Sequence, residues 1–116
     1  MKPVDMMITE EPHGRVLLFA ASGRLDGNTS KEFAARLEPL VSRAEPRLVL
    51  DMSGIEFISS AGLRAVLAVF RKIKAAKGAF ALCAVQPPVL EVLDISGFMN
   101  LIQIHPERTG ALAALA

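Results

Sequence analysis

The segment Arg47-Leu48-Val49-Leu50-Asp51-Met52 is the strongest constraint on what this chain can fold into. It is a short apolar run without alternation, bounded by Pro46 on one side and by Ser53-Gly54 on the other. A strand with one wet face would alternate polar and apolar residues. A continuous apolar run fits a central strand buried on both faces.

The rest of the chain supplies partners for such a strand. Residues 4–9 and 15–21 read as two strands, with Pro12, His13 and Gly14 between them, so an antiparallel hairpin is predicted. The stretch Gly23-Arg24-Leu25-Asp26-Gly27-Asn28 then breaks regular structure. Thr29-Ser30-Lys31-Glu32 has the form of a capping box, in which the Thr hydroxyl and the Glu carboxylate each satisfy an amide of the first turn. It opens a helix whose Phe33, Leu37, Leu40 and Val41 share a face, with Pro39 as a local conflict. Residues 55–58 are expected to be a connecting segment. A second helix is predicted over residues 60–77, with Leu63, Val66, Leu67, Phe70 and Ile73 inward and Gly78 as its stop.

Residues 79–84 read as another short strand. Pro87-Pro88 opens a third helix, residues 88–95, which Gly97 ends. Residues 101–104 are a last strand, and Pro106 opens a final helix rich in Ala and Leu. After the hairpin, strands and helices alternate, which predicts an α/β fold: a mixed sheet of four to five strands with about four flanking helices.

Composition narrows the function. A length of 116 residues fits one domain over 1–116, with its core at about 4–115, and 52% apolar with 22% charged residues is ordinary for a globular fold. The net charge of +1 does not mark a nucleic-acid binder or an electrostatic membrane binder. Cys83 is the single cysteine, so no internal disulfide forms, and the expected compartment is the cytoplasm. The acidic residues near the start do not suit a signal peptide, and the apolar stretches are too short to span a bilayer. Cys83, on an apolar strand, reads as inert core. His13 and His105 lie in no metal-ligand spacing, so neither a metal nor a cofactor is implied.

Chemistry concentrates in Ile58-Ser59-Ser60-Ala61-Gly62-Leu63-Arg64, where a buried strand gives way to a helix. A helix N-terminus presents unpaired amides and a partial positive charge. Spacing alone leaves two readings open: a serine that caps the helix, or a serine whose phosphate would sit well there. No Asp or Glu follows in the first turn to repel such a phosphate, and Gly62 is read as leaving room for a partner backbone. A small hydrolase using Ser60 has little support, because a nucleophile elbow needs Gly where Ile58 stands. Arg64, Arg71, Lys72, Lys74 and Lys77 form a basic helix face.

Four segments together resemble the STAS domains of the anti-sigma-factor-antagonist family. Gly23-Arg24-Leu25-Asp26 resembles that family's Gly-Glu-Leu-Asp loop. Leu48-Val49-Leu50-Asp51-Met52-Ser53-Gly54-Ile55 resembles its central strand and following turn. Phe57-Ile58-Ser59-Ser60-Ala61-Gly62-Leu63 resembles its phosphorylation segment, commonly Asp-Ser-Ser-Gly-Leu or Asp-Ser-Thr-Gly-Leu. Asp94-Ile95-Ser96-Gly97-Phe98 resembles its late helix end.

The resemblance implies a regulatory binding protein rather than an enzyme. Ser60 matches the phosphorylated serine. Ser59 stands where many members have Asp, which removes a charge and makes Ser59 the second choice of acceptor. Asp26 matches a loop residue near the acceptor, expected to orient the Ser60 hydroxyl or to contact the partner. The implied partner surface is Asp26, Ser59, Ser60, Gly62, Leu63 and Arg64. The implied partners are a GHKL-type serine kinase that is also an anti-sigma factor, and a PP2C-type phosphatase. A partner switch in secretion, motility or another signalling complex is the alternative.

Overall fold

The structure is a computed structural model and describes residues 6–116. Its elements follow in the order β1 (Met6–His13), β2 (Val16–Leu25), α1 (Ser30–Val41), β3 (Arg47–Ile58), α2 (Ser60–Ala75), β4 (Ala79–Cys83), α3 (Pro87–Ile95), a 3-10 turn (Phe98–Asn100), β5 (Gln103–His105) and α4 (Arg108–Leu115). The strands form one sheet in sequence order, with β1 antiparallel to β2 and the other pairs parallel. Residues 4 and 5 of the expected first strand lie outside the described residues.

The apolar run at the start of β3 does sit between two layers. Leu48, Leu50 and Met52 face a large core shared with α1, α2 and α3. There Phe19 and Phe33 meet edge to face, ring centres 5.9 Å apart. Val49 faces a smaller core in which Val16, Leu18, Ala81 and Cys83 pack under Ala111 and Leu115 of α4. On this second side Asp51 points at α4 rather than at carbon, and Arg108 meets it.

Several boundaries differ from the sequence reading, each for a local reason. The hairpin turns at Gly14-Arg15, with His13 opposite Val16, so Pro12 and His13 belong to β1. Proline is tolerated there because β1 is an edge strand. Gly14 takes φ of 63°, the left-handed conformation that a two-residue hairpin turn needs. Strand β2 continues through Gly23 and Arg24 to Leu25, so regular structure breaks only at Asp26.

Residues 55–58 are not a connector but the second half of β3. Two bulges hide this in the sequence. Ala20 faces Asp51 but Ser22 faces Gly54, and Gly23 faces Ile55 but Arg24 faces Phe57. Each bulge adds a residue to β3 and flips the inside–outside alternation. Gly54 is needed at the first one, since a Cβ there would lie 2.4 Å from Ser22 Cβ.

The capping box at Thr29 does not form. Thr29 Oγ1 donates to Arg24 O at 2.6 Å and accepts from Asp26 N at 3.0 Å, so it braces the loop instead of the helix. Helix α2 ends at Ala75, short of residue 77. Lys77, not Gly78, takes the left-handed position with φ of 60°, and Gly78 N closes the end by donating to Ile73 O at 2.8 Å. Gly78 is required by contact: a Cβ there would meet Pro46 O at 2.0 Å. The buried line of α2 is Gly62, Val66, Val69 and Ile73, while Leu63, Leu67 and Phe70 pack at its margin. Strand β4 stops at Cys83, α3 begins at Pro87, β5 is shifted to Gln103–His105, and α4 begins at Arg108 after Pro106.

Candidate functional site

The site lies at the end of the sheet where β2 and β3 finish side by side. Leu25 and Ile58 are register partners, and Ser59 N donates to Leu25 O at 3.0 Å. The chain therefore leaves both strands at one level. From β2 it enters the turn Asp26-Gly27-Asn28-Thr29; from β3 it enters α2 directly.

The two serines differ in backbone conformation and in hydrogen bonding. Ser59 has extended backbone, with φ of −97° and ψ of 177°, and its Oγ accepts from Gly62 N at 3.2 Å. It is the N-cap. Ser60 is the first helical residue and is exposed. None of the described residues engages its hydroxyl. The first turn of α2 carries no acidic residue, and Arg64 is exposed one turn further along the same face.

Asp26 serves its own loop. Its Oδ1 accepts from Asn28 N at 2.9 Å and from Thr29 N at 3.2 Å, and Oδ2 lies 3.7 Å from Arg24 Nε. The Asn28 amide is the main influence that, against partial burial, holds the Asp26 carboxyl below its ordinary value, helped by Thr29 and Arg24. The expected orienting bond from Asp26 to the Ser60 hydroxyl is not made.

Gly62 also needs correction. It is buried, and a Cβ on it would lie 2.4 Å from Leu25 O and 2.9 Å from Ile58 Cγ1. The missing side chain admits the strand end, not a partner. Leu63 is half-buried against the core, which leaves only part of it outward.

Two residues not singled out in the sequence form an exposed pair at this end of the sheet. Arg24 stacks over the Phe57 ring at 4.1 Å from its centre, and Phe57 is 39% exposed. A large aromatic side chain kept at the surface under a guanidinium is a common recognition feature. Only the β2–β3 register, with Arg24 opposite Phe57, brings them together.

A family model for the STAS domain matches residues 7–111, which includes every element of this site. The chain belongs to the STAS-domain family.

Relatives narrow the branch. The chain is 31% identical over 113 residues to the anti-sigma F factor antagonist of Paenibacillus polymyxa, covering 97% of each protein. It is 34% identical over 109 residues to BtrV of Bordetella bronchiseptica, covering 94% of each, and that protein's name proposes it as an anti-sigma factor antagonist. The crystal structure of an anti-sigma factor antagonist from Mycobacterium paratuberculosis superposes with a TM-score of 0.86 at 26% identity, covering 95% of this chain and 93% of that one. This STAS domain is thus of the anti-sigma-factor-antagonist family.

Elsewhere in the STAS domain, Cys83 is buried, and burial, with Asp51 beside it, pushes its thiol up to about 11. It is not a nucleophile at neutral pH. Among the described residues, no helix is long and apolar enough to cross a membrane.

Proposed function

We propose that this STAS domain is a partner switch whose acceptor is Ser60. The observation that carries the reading is the division of labour at the start of α2: Ser59 spends its hydroxyl on the cap, while Ser60 holds an exposed, unengaged hydroxyl on the next residue. Unphosphorylated, the surface around Ser60, Arg64, the outward part of Leu63 and the Arg24–Phe57 pair docks on a GHKL-type serine kinase that acts as an anti-sigma factor. Holding that kinase releases its sigma factor. Asp26 contributes by keeping Arg24 and the loop in place. In this reading the domain is the kinase's substrate and partner and catalyses nothing itself.

The kinase transfers the γ-phosphoryl group of ATP to Ser60 Oγ: the Oγ–P bond forms as the bond from Pγ to the bridging oxygen of ADP breaks, ADP leaves, and the hydroxyl proton passes to a base on the kinase. The product carries a charge of about −1.5 to −2 at neutral pH. The α2 N-terminus and Arg64 stabilise that charge within the domain. At the interface it must lose water beside Phe57 and Leu63, so the complex separates. A PP2C-type phosphatase restores the hydroxyl. The test is incubation with the cognate kinase and ATP, followed by mass spectrometry of the peptide spanning residues 58–64. Phosphate on Ser60 supports the reading; phosphate confined to Ser59 overturns it.

A further inference from the structure

We propose that the opposite end of the sheet carries a second site, a cleft that binds a small dianion of the phosphate-monoester class through Arg15, Arg43 and Arg47. The three come from different parts of the chain: the β1–β2 turn, the loop after α1, and the first residue of β3. Parallel pairing of Leu17 with Leu48 brings the starts of β2 and β3 together, and the three guanidinium-bearing residues line one cleft of about 430 Å³. Glu45 is the one carboxylate among its lining residues, so the cleft keeps two formal positive charges in a chain whose net charge is only +1.

Two of these three charges have no ion-pair partner in the fold among the described residues, and the third keeps donors free. Among the described residues, the ion pairs are Glu11–His13, Arg24–Asp26, Glu38–Lys72 and Asp51–Arg108, and none involves Arg15 or Arg43. Arg47 is fixed by one bond, Nη1 to Leu115 O at 2.9 Å, which leaves its other N–H groups to spare. Guanidinium forks match the geometry of phosphate oxygens, and two net charges favour a dianion over a monoanion. A smaller hollow of about 100 Å³ adjoins the cleft and shares its arginines; Leu17, Leu40 and Leu48 line it. That apolar wall gives an organic group on the phosphate somewhere to rest. The whole length of β3 separates this cleft from Ser60, so the inference stands apart from the phosphorylation reading.

The experiment is a titration of isotope-labelled protein with inorganic phosphate and with phenyl phosphate, followed by amide chemical shifts, with chloride holding ionic strength constant. At a pH of about 7.5 both probes are mostly dianionic. The expected result is saturable shifts at Gly14, Arg15, Arg43, Ala44, Glu45 and Arg47, with phenyl phosphate binding several-fold more tightly than phosphate. Arg15 and Arg43 are exposed, so Arg15→Ala and Arg43→Ala keep the fold, as the unshifted core amides verify. Each should weaken binding by roughly tenfold, and Glu45→Gln should strengthen it several-fold. Shifts that fail to saturate, that spread equally to Arg64 and Arg71 on α2, or that persist unchanged in Arg43→Ala overturn the proposal.

Discussion

Arg108, the first residue of α4, donates from both Nε (3.0 Å) and Nη2 (2.6 Å) to the same oxygen, Oδ2 of Asp51, in the middle of β3. The other oxygen, Oδ1, accepts from Ser53 N at 2.8 Å. The Asp51 side chain is 5% exposed and the Arg108 side chain 45%, so the pair joins a buried anion to a half-exposed cationic side chain. It fastens the short α4 over a face of the sheet that, among the described residues, no other helix covers.

That asymmetry sets the cost of breaking the pair. Arg108→Ala leaves a buried carboxylate with a single amide partner and should cost about 2–4 kcal/mol. Asp51→Asn leaves a guanidinium that water can reach and should cost less, about 1–2 kcal/mol. Urea unfolding of both single variants and the double variant checks this; equal costs for the two singles would contradict it.

The same residue gives a pH dependence. Burial raises the Asp51 carboxyl, but the Ser53 amide and the Arg108 side chain outweigh it and leave the group below its ordinary value of 3.8. The folded chain therefore releases this proton more readily than the unfolded one. The stabilisation is complete above about pH 4 and fades as pH falls through the lowered folded value. Urea midpoints measured between about pH 6 and pH 3 should fall more steeply for wild type than for Asp51→Asn.

Gly62→Ala forces a methyl group against Leu25 O and should destabilise the domain by about 1–3 kcal/mol. Gly27→Ala is the control. A Cβ at Gly27 would meet nothing within 4 Å and the residue has no positive φ, so its variant should melt near wild type. Thermal unfolding separates the two.

The neighbouring serines should part company in the same assay. Ser59→Ala removes the cap and should cost about 1 kcal/mol, whereas Ser60→Ala should stay within about 0.5 kcal/mol of wild type. Ser60→Asp places a carboxylate at the helix N-terminus and should fold with a Tm at or above wild type. In calorimetry with the cognate kinase, Ser60→Ala should bind and Ser60→Asp should bind at least about tenfold more weakly. Wild-type affinity in Ser60→Asp would remove Ser60 from the switch.

Cys83 should resist alkylation in the native state near neutral pH and react once the chain is unfolded in urea. Its thiol is buried and titrates at about 11. Rapid native labelling would show that β4 opens readily.

Much of this was written locally. The first half of the central strand, the hairpin, the helices after Asp26 and Ile58, and the two serines at a helix start follow from patterns within a few residues, because short-range periodicity depends on neighbours in the chain; the capping box at Thr29 is the exception, its hydroxyl turning back to Arg24 O. The β3 bulges were not legible. They break the period of two, and only pairing with β2 shows where the extra residues go.

Which serine caps and which stays open was a tie in spacing; the backbone decided it, by putting Ser59 in an extended conformation and Ser60 in the helix. The sequence by itself determined the layered α/β order and the position of the two serines at a helix start. The tertiary structure alone decided that Gly62 faces a strand end, that Arg24 covers Phe57, that Asp51 meets Arg108, and that three arginines share a cleft. The physical reason is the same in each case: these contacts join separate elements, so they exist only once register and packing have set which residues meet.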